Sequence, residues 1–252
     1  MSEAAVAAVS GLFLVFCRVA GCLMILPGFS SPQLPVRVRL LLAIACSLAL
    51  APAVLPQVMP VVQKPSASLP YVILSEVFSG LTIGFAGRII FTALEFMGTA
   101  MASFLSLGAT PGIPLEDHEP GTLLATPLTL TATVLVFLAD LHHEALRALV
   151  SSYAILPVSG GVAAGMALDQ VATVASQAFR MTLQLGSPFL VYSILVNLMF
   201  AFANKLLPQV PLYFVSVPFV VLGGLVLLAW MAPEILAGFS DFYAAWLVQG
   251  GA

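Results

Sequence analysis

The stretch YVILSEVFSGLTIGFAGRIIFTALEFMGTAMASF, Tyr71 to Phe104, decides the class of fold. It is apolar and helical in character throughout, and it is longer than the roughly 20 residues that cross a bilayer as a helix. Its charges are confined to Glu76, Arg88 and Glu95. Gly80, Gly84 and Gly87 recur along it, the first two as a GxxxG, and Gly98 and Ala102 repeat the four-residue spacing. Such small-residue ridges let helix backbones approach closely. Strict alternation over ten-residue segments is absent, which disfavours a membrane β-barrel.

Outward from this stretch the same character holds. An apolar run, Ala4 to Leu26, is interrupted only by Arg18 and lacks the basic start of a signal peptide. A cluster of breakers follows, from Pro27 to Pro35, and then Arg37 and Arg39 lead a second run, Leu40 to Leu55. Pro52 and Pro56 are predicted to end that run, with a loop over about Pro56 to Pro70. A fourth run, Leu123 to Leu156, continues past Asp140, and a small-residue connector, Pro157 to Gly165, comes after it. Two further runs, Phe179 to Leu207 and Leu212 to Trp230, are joined by Pro208-Gln209-Val210-Pro211. The tail, Pro233 to Leu247, is amphipathic: Leu236, Phe239, Tyr243 and Trp246 share a face apart from Glu234 and Asp241.

Composition agrees. Of 252 residues 61% are hydrophobic and 8% charged, with a mean hydropathy of +1.10. Soluble domains carry about a quarter charged residues, so the prediction is an all-α, polytopic membrane protein with proline-kinked helical hairpins. A net charge of −3 with scattered Lys and Arg leaves no footprint for nucleic acid. Cys17, Cys22 and Cys46 lie in apolar segments and read as buried thiols.

Ionisable groups within apolar runs are the first candidates for function, because unpaired they are costly there. Arg88 and Glu95 should each meet a partner on another helix or subunit, and Arg18 should be met by carboxylates or carbonyls. Asp140, Glu144 and Arg147 form one stripe with His143 beside it; it reads either as a proton relay or as a local ion-pair network at a helix end. His142 and His143 point about 100° apart on a helix and have no third ligand at useful spacing, so no metal is predicted. No nucleophile, phosphate-binding or dinucleotide motif occurs. Hence no catalytic, cofactor or metal residue is assigned.

Three stretches together resemble the FliR family of flagellar biosynthetic proteins, core subunits of type III secretion export gates. They are RVAGCLMILPGFSSPQLPVRVRLLLA (Arg18 to Ala43), DLHHEALRALVSSYAILP (Asp140 to Pro157) and LVNLMFAFANKLLPQVPLYFVSVPF (Leu195 to Phe219). Their order matches the family over essentially the whole chain. The resemblance implies a fusion of a FliP-like part, 1–171, with a FliQ-like helical hairpin, 172–252. It implies partners of the FliP and FliQ kinds, with an FlhB-like subunit beside them. Unfolded flagellar subunits would be the cargo, and the bacterial inner membrane at the flagellar basal body the location. Assembly would use Arg18, Arg37, Arg39, Gly80, Gly84, Gly87, Arg88, Glu95, Arg147, Lys205, Pro208 and Gln209.

The polar segment SLGATPGIPLEDHEPGT, 106–122, matches the family's plug loop. Ser106, Leu107, Gly108, Pro111, Gly112, Ile113, Pro114, Glu116, Asp117 and Glu119 would form the gate; read from the residues alone, the segment is rather an ordinary solvated connection, and the resemblance brings the two readings level. Two other readings stay open: the homologous subunit of a virulence secretion system, and a secondary transporter. The latter calls for repeated halves, and no internal duplication is evident.

Overall fold

The computed structural model describes residues 3–31, 34–63, 68–107, 122–158, 164–206 and 212–249. These form helices α1 (Glu3–Leu23), α2 (Val36–Gln63), α3 (Leu69–Phe104), α4 (Thr122–Leu138), α5 (Leu141–Ile155), α6 (Ala164–Leu206) and α7 (Leu212–Val248), with no strand among the described residues. Among the described residues five helices are long and apolar enough to span a membrane, or six if the bent α4–α5 pair is counted as one span. The predicted all-helical membrane architecture is thus present.

Four boundaries differ from the sequence expectation. Helix α2 does not stop at its prolines but continues through Pro52, Pro56 and Pro60 to Gln63. Its buried residues Ala43, Ser47, Ala51, Val54 and Val58 make one stripe, and at 100° per residue the prolines fall about 180° from it. All three are exposed. Their rings therefore push the helix around the core rather than into it. The fourth run is bent by 75° between Leu138 and Leu141. Asp140 sits there with φ 56°, a left-handed conformation that Asp adopts more readily than most residues. Helix α6 starts at Ala164, well before Phe179, because the polar residues Asp169 and Gln170 lower hydropathy without opposing helix formation. Helix α7 joins the sixth run and the tail through Pro233.

The chain divides into two compact units. The first comprises 1–90, 136–176 and 243–252. Its core joins Leu14, Val15, Val19 and Leu23 of α1, Ala43, Val54 and Val58 of α2, and Val72 of α3, with Tyr153 and Val158. Tyr243 and Trp246 are also buried, as the tail's amphipathic pattern predicts, and so is Leu247 beside them. Cys17 and Cys22 are buried, and Cys46 is partly so.

The second unit comprises 91–135 and 177–242. Leu94, Met97 and Met101 of α3 are wholly buried, as are Leu105 in the turn after it, Phe189 of α6 and Phe239 of α7. Phe91 meets Phe239 edge-on at 5.1 Å. The Thr182 hydroxyl donates to the Ala93 carbonyl at 3.2 Å, fastening α6 to α3. Tyr192 donates to the carbonyl oxygens of Phe219 and Val220, fastening α6 to α7.

Candidate functional site: a buried arginine node

Arg18 is a guanidinium inside a helix that otherwise carries only Glu3 as a charge. It is 1% exposed, and Glu76 of α3 is fully buried. Their contact is a fork: Nε donates to Oε2 and Nη2 to Oε1, each at 2.8 Å. Nη1 donates to Ser152 Oγ at 3.1 Å and Nη2 to the Leu156 carbonyl at 2.8 Å. The Tyr153 ring lies 3.8 Å from the guanidinium carbon, close enough for cation–π attraction. Leu156 caps the C-terminus of α5, where the helix dipole is negative and favours a cation. One side chain of α1 thus holds both α3 and the end of α5.

The fork requires α1 and α3 to lie unusually close, and the glycine ridge permits it. A Cβ on Gly80 would stand 2.1 Å from the Arg18 carbonyl oxygen, and one on Gly84 2.6 Å from that of Cys22. One on Gly87 would meet Leu26 at 2.6 Å and Trp246 at 3.2 Å. The Gly80/Gly84/Gly87 ridge is therefore closed over by this chain's own residues. Glu76 sits one turn before Gly80 on the same face, which is how the carboxylate reaches Arg18.

The other charged residues picked out from the sequence are dispersed. Arg39 donates to the carbonyl oxygens of Leu34 and Ser31, each at 3.0 Å, and so braces the turn entering α2. Arg37, Arg88, Glu95 and Lys205 are exposed. Among the described residues neither Arg88 nor Glu95 makes an ion pair. Arg147 pairs with Glu144 on the surface, and His143 Nδ1 lies 3.6 Å from Asp140 Oδ1. That is a local network beside the α4–α5 bend. Ser106 (φ 56°) and Leu107 end the described part of the plug-like segment. Gly108, Pro111, Gly112, Ile113, Pro114, Glu116, Asp117 and Glu119 lie outside the described residues, as do Pro208 and Gln209.

Sequence reasoning singled out Arg18 but passed over Glu76, Ser152, Tyr153 and the Leu156 carbonyl. The signal for Glu76 was present, since it continues the Gly80/Gly84/Gly87 face by one turn. Asp140, His142 and His143 also come together, with one potential ligand atom from each within 4.8 Å of the others.

Comparison with known proteins places these features in context. The family described as bacterial export proteins, family 1, matches residues 9–245. The flagellar biosynthetic protein FliR of Caulobacter vibrioides is 33% identical over 232 residues, 91% of each chain. That of Aquifex aeolicus is 25% identical over 92% of this chain and 89% of its own. The Yop proteins translocation protein T of Yersinia pestis is 31% identical over 81% of this chain and 79% of its own.

Proposed function

The chain belongs to the bacterial export proteins, family 1, and from that membership we propose that it is a core subunit of the flagellar type III export gate. The observation that carries the reading is similarity to flagellar FliR proteins along nearly the full length of both chains. The family match, residues 9–245, covers the arginine node and nearly all of the two long C-terminal helices. The role needs no reaction of its own, and none is assigned.

Its work is to line and hold a path for unfolded flagellar subunits through the inner membrane at the basal body. Two features support this. The most apolar part of α6 is only 6% buried, and that of α7 17%, so large apolar surfaces await lipid or neighbouring helices. Arg88 and Glu95 stand exposed on α3, where charges are tolerated only against a partner or water. The neighbours in this reading are FliP-like and FliQ-like subunits, with an FlhB-like subunit at the gate. Residues 1–171 act as the FliP-like part and 172–252 as the FliQ-like hairpin, and α6 runs through residue 171 without a break. Arg18 and the Gly80/Gly84/Gly87 ridge serve assembly by fixing α1 against α3, while Arg37, Arg88, Glu95 and Lys205 face neighbours. The 106–122 segment serves as the plug.

The likeness to a Yop translocation protein makes a virulence export system the second reading. Expression in a flagellated strain lacking its own FliR-type subunit separates the two. Restored motility and recovery of the chain in one complex with FliP-like and FliQ-like subunits are the expected results. A chain that purifies alone, or that restores secretion only in a virulence system, overturns the flagellar assignment.

A further inference from the structure

The α4–α5 bend gathers three metal-binding side chains that the proposed role does not use. Asp140 stands in the bend, its side chain 78% exposed and making no capping bond to α5. His142 and His143 follow in the first turn of α5, their ring centroids 4.1 Å apart. The Nδ1 atom of His142 is buried and has no hydrogen-bond partner, so one lone pair of that ring is uncommitted. His143 Nδ1 is 3.6 Å from Asp140 Oδ1. Glu144, the nearest other carboxylate in sequence, is engaged by Arg147.

We propose that Asp140, His142 and His143 form a binding site for a divalent transition-metal cation of the zinc type, which clips the bend between α4 and α5. Two imidazoles and one carboxylate are a donor set suited to zinc and its neighbours rather than to magnesium or calcium. Zinc bonds of about 2.0–2.1 Å place tetrahedral ligands about 3.3 Å apart. The Asp140–His143 edge is near that value already, and all three ligand atoms fit within 4.8 Å. Side-chain rotation of His142 supplies the remaining closure, and water takes the fourth position. Side chains three apart at a helix start are neighbours, which brings the Asp140 carboxylate and the His143 imidazole together. Asp140 itself stands in a left-handed turn (φ 56°) at the entry to α5.

The test uses the full chain in its detergent-solubilised complex, carrying a tag without histidine and stripped with chelator. Cobalt(II) is titrated as a spectroscopic probe and then displaced with zinc. Saturation at one equivalent per chain, with visible d–d absorption lost on adding zinc, is expected. Asp140→Asn and His143→Ala should each weaken binding at least about tenfold, while His118→Ala should leave it unchanged. Zinc should raise the melting temperature of the unaltered protein and not that of Asp140→Asn. Absence of saturable binding up to about 100 µM, or binding that survives His142→Ala/His143→Ala, overturns the site. The first of these outcomes needs no variant and is independent of any misfolding.

Discussion

Replacing Glu76 by Gln leaves the shape of the arginine node nearly intact and removes its counter-charge. Arg18 then keeps a full positive charge, 1% exposed, with only neutral acceptors around it. Taking the charge centres as about 4 Å apart and an effective dielectric of about 20, the lost attraction is about 4 kcal/mol. Breaking one side of a buried pair generally costs about 3–5 kcal/mol. Since whole domains are stable by only about 5–15 kcal/mol, the folded fraction should fall by roughly a thousandfold relative to the unfolded. Arg18→Met should be similarly harmful, because it leaves the Glu76 carboxylate buried. The double variant Arg18→Met/Glu76→Leu removes both charges and should recover most of the loss. A deficit of about 1–3 kcal/mol should persist for the Leu156 carbonyl left without its donor. The assay is recovery of the complex together with its melting temperature, for both single variants and the double. Single variants that behave as the unaltered protein, or a double variant as damaged as the sum of the two, would refute the reasoning.

Gly84→Leu should abolish recovery of the complex by wedging α3 from α1, whereas Gly165→Ala, whose Cβ meets nothing within 4 Å, should be silent in the same purification. Arg147→Gln removes a pair whose arginine is 75% exposed, so melting should shift by no more than about 0.5 kcal/mol equivalent; a larger loss would give that residue a role beyond the surface. Shortening Gly108–Pro120 should leave assembly intact and make cells leak ions. A tight membrane, or a cysteine at Ile113 that never crosslinks to pore-lining partners, would return the segment to a plain connector.

The helices and the close approach along the glycine ridge were legible because apolar length and small-residue spacing are local signals. So was the need of Arg18 for an acceptor. Its identity was harder, because Glu76 and Ser152 stand 58 and 134 positions away from it. The passage of α2 through its prolines was hidden for a different reason. A proline predicts a break only until one knows that Pro52, Pro56 and Pro60 all face away from the core. The 75° bend escaped notice since Leu138 to Leu141 is uniformly helix-compatible, and only the left-handed backbone of Asp140 reveals it.

Helix length has a consequence of its own. At 1.5 Å per residue, the 43 residues of α6 rise about 65 Å and the 37 of α7 about 55 Å. The hydrocarbon of a bilayer is about 30 Å thick. A tilt of about 40°, the upper end for membrane helices, still leaves α6 about 50 Å tall. Lipid tails can therefore sheathe only part of either rod. The remainder lies beyond the reach of any acyl chain: polar residues there such as Asp169 and Gln170 can meet water, but exposed apolar ones such as Met166 and Leu168 need protein over them, and the height of that collar is set by this chain.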